Sequence, residues 1–222
     1  MRRFAPLLLI VLSVSACGPS ADEVAAQYKS RVSPKLQQLR DCARKAKAFT
    51  GAVPPLQMEG KLAFIGSEKP DATLLHVEAL DEPEGKPALD LIIEHFWLDV
   101  VKSAVNGDSL GSAQAAYMEN LLSGALDLKY VAFVVTRQYA EPVASSGKSF
   151  VPGYWEADLL VYSLDKGDLL GGWSLKATNS ETVDAKAKDP QKFLHSDLFS
   201  SSRKAVHDAL KPRCVGDNVP LG

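Results

Sequence analysis

The sequence predicts an α+β fold, an antiparallel β-meander sheet packed against several α-helices in a single domain. Two observations carry this. Residues 130–178 hold three successive runs of strand character, 130–136, 155–164 and 168–178. The first is apolar on both parities and rich in β-branched residues, as in a strand covered on both faces. Elsewhere the apolar residues recur at helical spacing, most clearly at Ile92, Ile93, Phe96, Trp97, Val100, Val101, Ala104 and Val105.

Each element has its own local warrant. Asp165-Lys166-Gly167 is a hairpin-turn signal between the last two strands. Ser33-Pro34 predicts a helix start, with serine as cap and proline in the first turn, and Leu36, Leu39, Ala43 and Ala46 share its inner face. Residues 61–66 and 73–79 have β character, and 82–87 is a polar, proline-bearing loop. For the run from 89 onward, Asp90 is the expected helix cap and Asn106-Gly107 the expected left-handed end. A strand over 89–98 is the competing reading. Further helices are predicted over 112–125 and 193–210, the second stopped by Pro212.

The N-terminus reads as an address. Arg2 and Arg3 precede a short apolar run, Leu7 to Leu12, too short for a membrane-spanning helix of ~20 residues. Val14-Ser15-Ala16-Cys17 follows. These residues resemble the lipobox of bacterial lipoproteins, and the resemblance covers 1–17 alone. It implies a signal peptide over 1–16, cleavage after Ala16, a diacylglyceryl thioether on Cys17 and acylation of the new amino terminus, palmitate-type chains included. The expected division is then a signal peptide (1–16), a lipidated tether (17–32) and one α+β domain (33–222). Gly18 stands where aspartate is the usual inner-membrane retention signal, so the resemblance implies the outer membrane of a Gram-negative cell.

Composition bounds the rest. Of 25 Lys and Arg and 27 Asp and Glu, only Arg2 and Arg3 fall in the first sixteen residues, so the mature side chains sum to −4. Nothing strongly basic remains for nucleic acid, and none is expected as a partner. With Cys17 taken by lipid, Cys42 and Cys214 remain as a pair in an oxidising compartment, and a disulfide between them is expected. It would close nearly the whole mature chain, for about 5 kcal/mol by loop entropy. Two independent buried thiols are the alternative. The basic residues Lys35, Arg40, Arg44, Lys45 and Lys47 read as a solvated helix face, with anionic head groups as the alternative contact.

The motifs of catalysis are incomplete. Gly147-Lys148-Ser149 matches the end of a phosphate-binding loop, but Pro142 stands where the first glycine is needed. His195-Ser196-Asp197 contains the residue types of a hydrolase triad, yet adjacent residues cannot assemble that geometry. Ser196 is better read as a helix cap. Glu156 and Asp158 share a strand face opposite the expected core parity (Trp155, Ala157, Leu159, Val161), and ion pairs to Arg137 or Lys176 are expected. No cofactor, metal site or enzyme activity is predicted. The expectation is a membrane-anchored envelope lipoprotein acting as a non-enzymatic binding or assembly module, with an envelope protein as a possible partner. The alternative is a carrier of a small apolar ligand or lipid held near Phe96 and Trp97. A deep apolar pocket beneath that helix would favour the carrier, and a filled core with an exposed aromatic patch the binding module.

Overall fold

The computed structural model describes residues 18–64, 67–81, 84–93, 95–145, 150–180, 189–216, 219 and 221. The lipobox and Cys17 lie outside them, as do Gly147, Lys148 and Ser149.

Helix α1 spans Ala21–Ala48, thirteen residues earlier at its start than Ser33-Pro34 suggested. Ser20 caps it in a reciprocal capping box. Its hydroxyl accepts from the Glu23 N–H at 3.2 Å, and the Glu23 carboxylate accepts from the Ser20 N–H at 2.7 Å. Pro34 lies inside the helix, where it removes one backbone hydrogen bond. Tertiary burial overrides that penalty. Ala21, Val24, Ala25, Val32, Leu36 and Leu39 form one continuous buried stripe that a break at Pro34 would split. Residues 21–32 therefore belong to the folded unit, and only Gly18 and Pro19 separate Cys17 from the cap.

The main sheet contains β1 (Ala72–His76), β2 (Tyr130–Ala140), β5 (Tyr154–Ser163) and β6 (Leu169–Thr178), in the order β1-β2-β5-β6. The meander β2-β5-β6 is antiparallel, as expected. β1 joins β2 in parallel, so the chain must cross over between them. It does so through a 3-10 turn (Val77–Leu80), α2 (Phe96–Asn106) and α3 (Ala115–Asp127). A short hairpin, β3 (Val143–Ala144) with β4 (Phe150–Val151), separates β2 from β5. Gly171, at φ 117°, lets the 54–57 backbone lie against β6, since a Cβ there would stand 2.4 Å from the Pro55 carbonyl oxygen. Gly172 N–H donates to Pro54 O at 2.9 Å and Gln57 N–H to Leu170 O at 2.8 Å.

Both faces of this sheet are covered. Phe133, Val135, Leu160 and Tyr162 pack against α1, α2 and α3. Ala132, Val134, Trp155, Leu159 and Val161 pack against α4 (Pro190–Leu210) together with Leu62, Phe64, Leu91 and Ile93. The sequence assigned the core to the Trp155 parity alone; the three-helix layer makes the Leu160 parity a second core.

The starts of α2 and α4 also differ from expectation. α2 begins at Phe96 rather than near Asp90, because Ile92 takes a positive φ of 51° and residues 91–93 run outside the helix. Ile93 instead makes an isolated bridge to Leu221, and residues 91–93 form neither the expected helix nor the competing strand. α2 does end in the left-handed Gly107. α4 is capped by Asp189, whose carboxylate accepts from Lys192 N–H at 3.0 Å, with Pro190 in the first turn; Ser196 lies inside the helix.

The expected Cys42–Cys214 disulfide is absent, and both residues are free, buried thiols. Cys42, on α1, belongs to the core on one face of the sheet, and Cys214, bridged to Leu62, to the core on the other. The sheet stands between them, whereas a disulfide needs α-carbons within about 7 Å. Burial pushes the Cys42 thiol up and the Cys214 thiol up to about 11, which favours the protonated thiol over the nucleophilic thiolate.

Candidate functional site

The carboxylates that the sequence singled out are engaged in structure. Glu156 accepts from Lys176 Nζ at 2.7 Å across the β5–β6 pair. Asp158 accepts from Arg137 Nε at 2.7 Å and from Ser174 Oγ at 3.0 Å. These are the ion pairs expected from the strand parity. His195, Ser196 and Asp197 likewise assemble no triad. His195 Nε2 meets Glu141 at 2.6 Å, while Asp197 accepts from Asn179 and Ser180. The basic face of α1 also finds internal partners. Lys35 reaches Leu128 O, Lys45 reaches Gly167 O, Arg44 pairs with Asp41 and Lys47 with Asp81.

Two features around the start of α2 stand out. The first is a cleft of about 320 Å³ lined by His76, Ala79, Glu84, Gly85, Lys86, Pro87, Asp90 and His95. His76, at the end of β1, is 3 % exposed. Its Nε2 accepts from Leu91 N–H at 3.2 Å, and its Nδ1 has no hydrogen-bond partner among the described residues. Burial depresses its pKa to about 4, against a small opposing pull from Asp90. His95 is held by Ile93 O at 2.8 Å and faces Glu84 at 3.7 Å. Glu84 in turn accepts from Lys102 at 2.9 Å. Among the described residues no three His, Cys, Asp or Glu side chains are placed to hold a metal ion. Beside the cleft, Ile92 is exposed despite being β-branched and at positive φ, a conformation that costs of order 1–3 kcal/mol.

The second feature is an aromatic shelf. Trp97 and Phe96, adjacent in sequence, point opposite ways. Trp97 is 3 % exposed and fills the core with Leu98, Val100 and Val101. Phe96 is 56 % exposed and lies flat on Tyr117, itself 50 % exposed, with ring centroids 6.2 Å apart and planes at 15°. Stacked rings left in water are an uncovered apolar surface.

Comparison with protein-family models, curated proteins and solved structures finds no match. The site is therefore read from its own geometry. Sequence reasoning named Phe96 and Trp97 together, and the structure separates them into an exposed residue and a core residue. It missed Tyr117, which lies on the exposed side of α3, and it found no spacing that joined His76 to His95.

Proposed function

We propose that this chain is a lipid-anchored lipoprotein of the bacterial envelope that works as a non-enzymatic binding module. The observation that carries the reading is the division of labour between Trp97 and Phe96. The inner face of α2 is filled by its own side chains, so the place where a carried ligand was expected is occupied. The outer aromatic surface at the start of the same helix is open for contact. No helix among the described residues is long and apolar enough to cross a membrane, and attachment is assigned to acyl chains on Cys17. Gly18 after that cysteine supports the outer membrane as its address.

Native mass spectrometry of gently extracted protein tests this. The expected spectrum is a chain beginning at acylated Cys17 with no stoichiometric small molecule bound. A co-purifying apolar ligand lost on Trp97→Ala would overturn the reading in favour of a carrier. An unacylated chain would remove the membrane assignment.

A further inference from the structure

We infer that the Phe96–Tyr117 shelf seats in the headgroup region of the same membrane that anchors the chain. The inference rests on the acylation of Cys17 proposed above, and the length of the tether carries it. Three Cα steps join Cys17 to the capping residue Ser20, a reach of at most ~10 Å. The capping box then locks the start of α1, so this end of the domain cannot stand far from the bilayer surface.

The shelf lies at this end. Asp22, in the first turn of α1, accepts from Leu110 N–H at 2.7 Å and from Ser109 Oγ at 3.0 Å, fixing the loop that leads into α3. α1 and α3 then run side by side in the same direction. Tyr28 OH donates to Glu119 at 3.5 Å across a sequence separation of 91, and Lys35 Nζ to Leu128 O at 2.8 Å across 93. At that offset Tyr117 is level with residues near 25 of α1, about one turn or ~6 Å beyond the helix start. The headgroup layer is roughly 5–7 Å deep on each side of a bilayer; the amphipathic Tyr117 ring suits it, and Phe96 adds apolar surface to the same contact.

Charge does not offer a rival explanation for this face. The charged residues in and beside the first turns of α1 and α3 are mostly acidic, Asp22, Glu23, Asp108 and Glu119 against Lys29 and Arg31, so attraction to anionic lipid is not what holds this end. The basic residues farther along α1 are engaged internally, as described above. Seating is therefore apolar and insensitive to lipid charge.

The opposite end supplies the control. Arg137 donates to Ala46 O at 3.5 Å, placing the far part of β2 beside the last turn of α1, ~38 Å along the helix from Ala21. The β3–β4 hairpin follows directly, and its Val151 is exposed.

The test uses the full-length protein in native membranes, with a photoreactive benzophenone side chain at position 96, 117 or 151. Mass spectrometry reads both the acylation state and the adduct. The expected result is phospholipid adducts at 96 and 117 and none at 151. Those adducts should persist in vesicles of phosphatidylcholine with or without phosphatidylglycerol. They should disappear when a Gly-Ser insertion of about twelve residues, with a reach of ~20 Å, separates Pro19 from Ser20. Protein adducts at 96 and 117 would overturn the bilayer seat while leaving the binding module standing, and so would the absence of any adduct there. Lipid adducts that survive the insertion would overturn the role of the tether. A mature chain without acyl groups would sink both this inference and the anchor.

Discussion

The backbone N–H of Leu91 donates to Nε2 of His76 at 3.2 Å, which places the proton of the neutral imidazole on the buried Nδ1. Protonating Nε2 would take away the acceptor of that N–H and put a charge on a buried side chain at the end of β1. The folded protein resists this by depressing the His76 pKa to about 4, from an ordinary 6.5. Below pH 6.5 the unfolded chain takes up a proton that the folded chain refuses, so folding stability falls as the pH drops from 6.5 toward 4. The loss reaches about 3 kcal/mol at the lower end. Asp90, His95 and Glu84 face the same cleft. Urea unfolding at pH 7 and pH 4.5 should show the loss, and His76→Leu should flatten it even though that variant is weaker at pH 7. An unchanged pH dependence in His76→Leu would show that the imidazole is not buried neutral.

Cys42 and Cys214 belong to different cores, so reductant should not move the denaturant midpoint. Both thiols should resist alkylation in the native protein and react fully once it is unfolded. A peptide linking Cys42 to Cys214 in a non-reducing digest would refute the arrangement.

Pro34 sits in mid-helix, where it forfeits one hydrogen bond and crowds the preceding turn. Replacing it with alanine should stabilise the protein by about 1–3 kcal/mol, the range left after the greater freedom of the unfolded chain is subtracted. If α1 began at Ser33, the same change would remove a favourable first-turn proline and lower stability. The sign of the change therefore locates the helix start.

What could be read in the sequence was whatever short-range pattern decides. The doubly apolar run around Phe133 identified a strand covered on both faces, and the parity of Glu156 and Asp158 identified their partners in Lys176 and Arg137. Gly107 marked a helix end because few other residues tolerate that backbone. Longer-range contacts overruled local rules elsewhere. Pro34 looks like a helix start until Val24 and Val32 are seen to bury on the same stripe as Leu39. A parallel β1 carries no signature that distinguishes it from an antiparallel neighbour. Counting cysteines cannot say which side of a sheet each one occupies. The His76–His95 cleft and the Phe96–Tyr117 stack join residues about twenty apart through the crossover, and no periodicity reports such a meeting.

Phe133 gives the sharpest contrast between core and surface. It lies in the middle of β2, wholly buried, with Leu75 and Leu160 as its cross-strand neighbours and the Tyr162 ring edge-on at 6.2 Å. Phe133→Ala removes a large side chain from a packed site and leaves a cavity, so the expected loss is ~3–5 kcal/mol. That is a substantial part of the ~5–15 kcal/mol available to a domain. Phe96 is the same residue type on the surface, and Phe96→Ser should change stability by no more than about 0.5–1 kcal/mol. Both variants can be measured by denaturant unfolding in one buffer. A costly Phe96 would mean that its stack on Tyr117 supports the fold rather than standing ready for a contact. A tolerant Phe133 would remove β2 from the centre of the sheet. The expected pair of values leaves Phe96→Ser as a folded variant in which a loss of contact at the shelf can be read without a loss of structure.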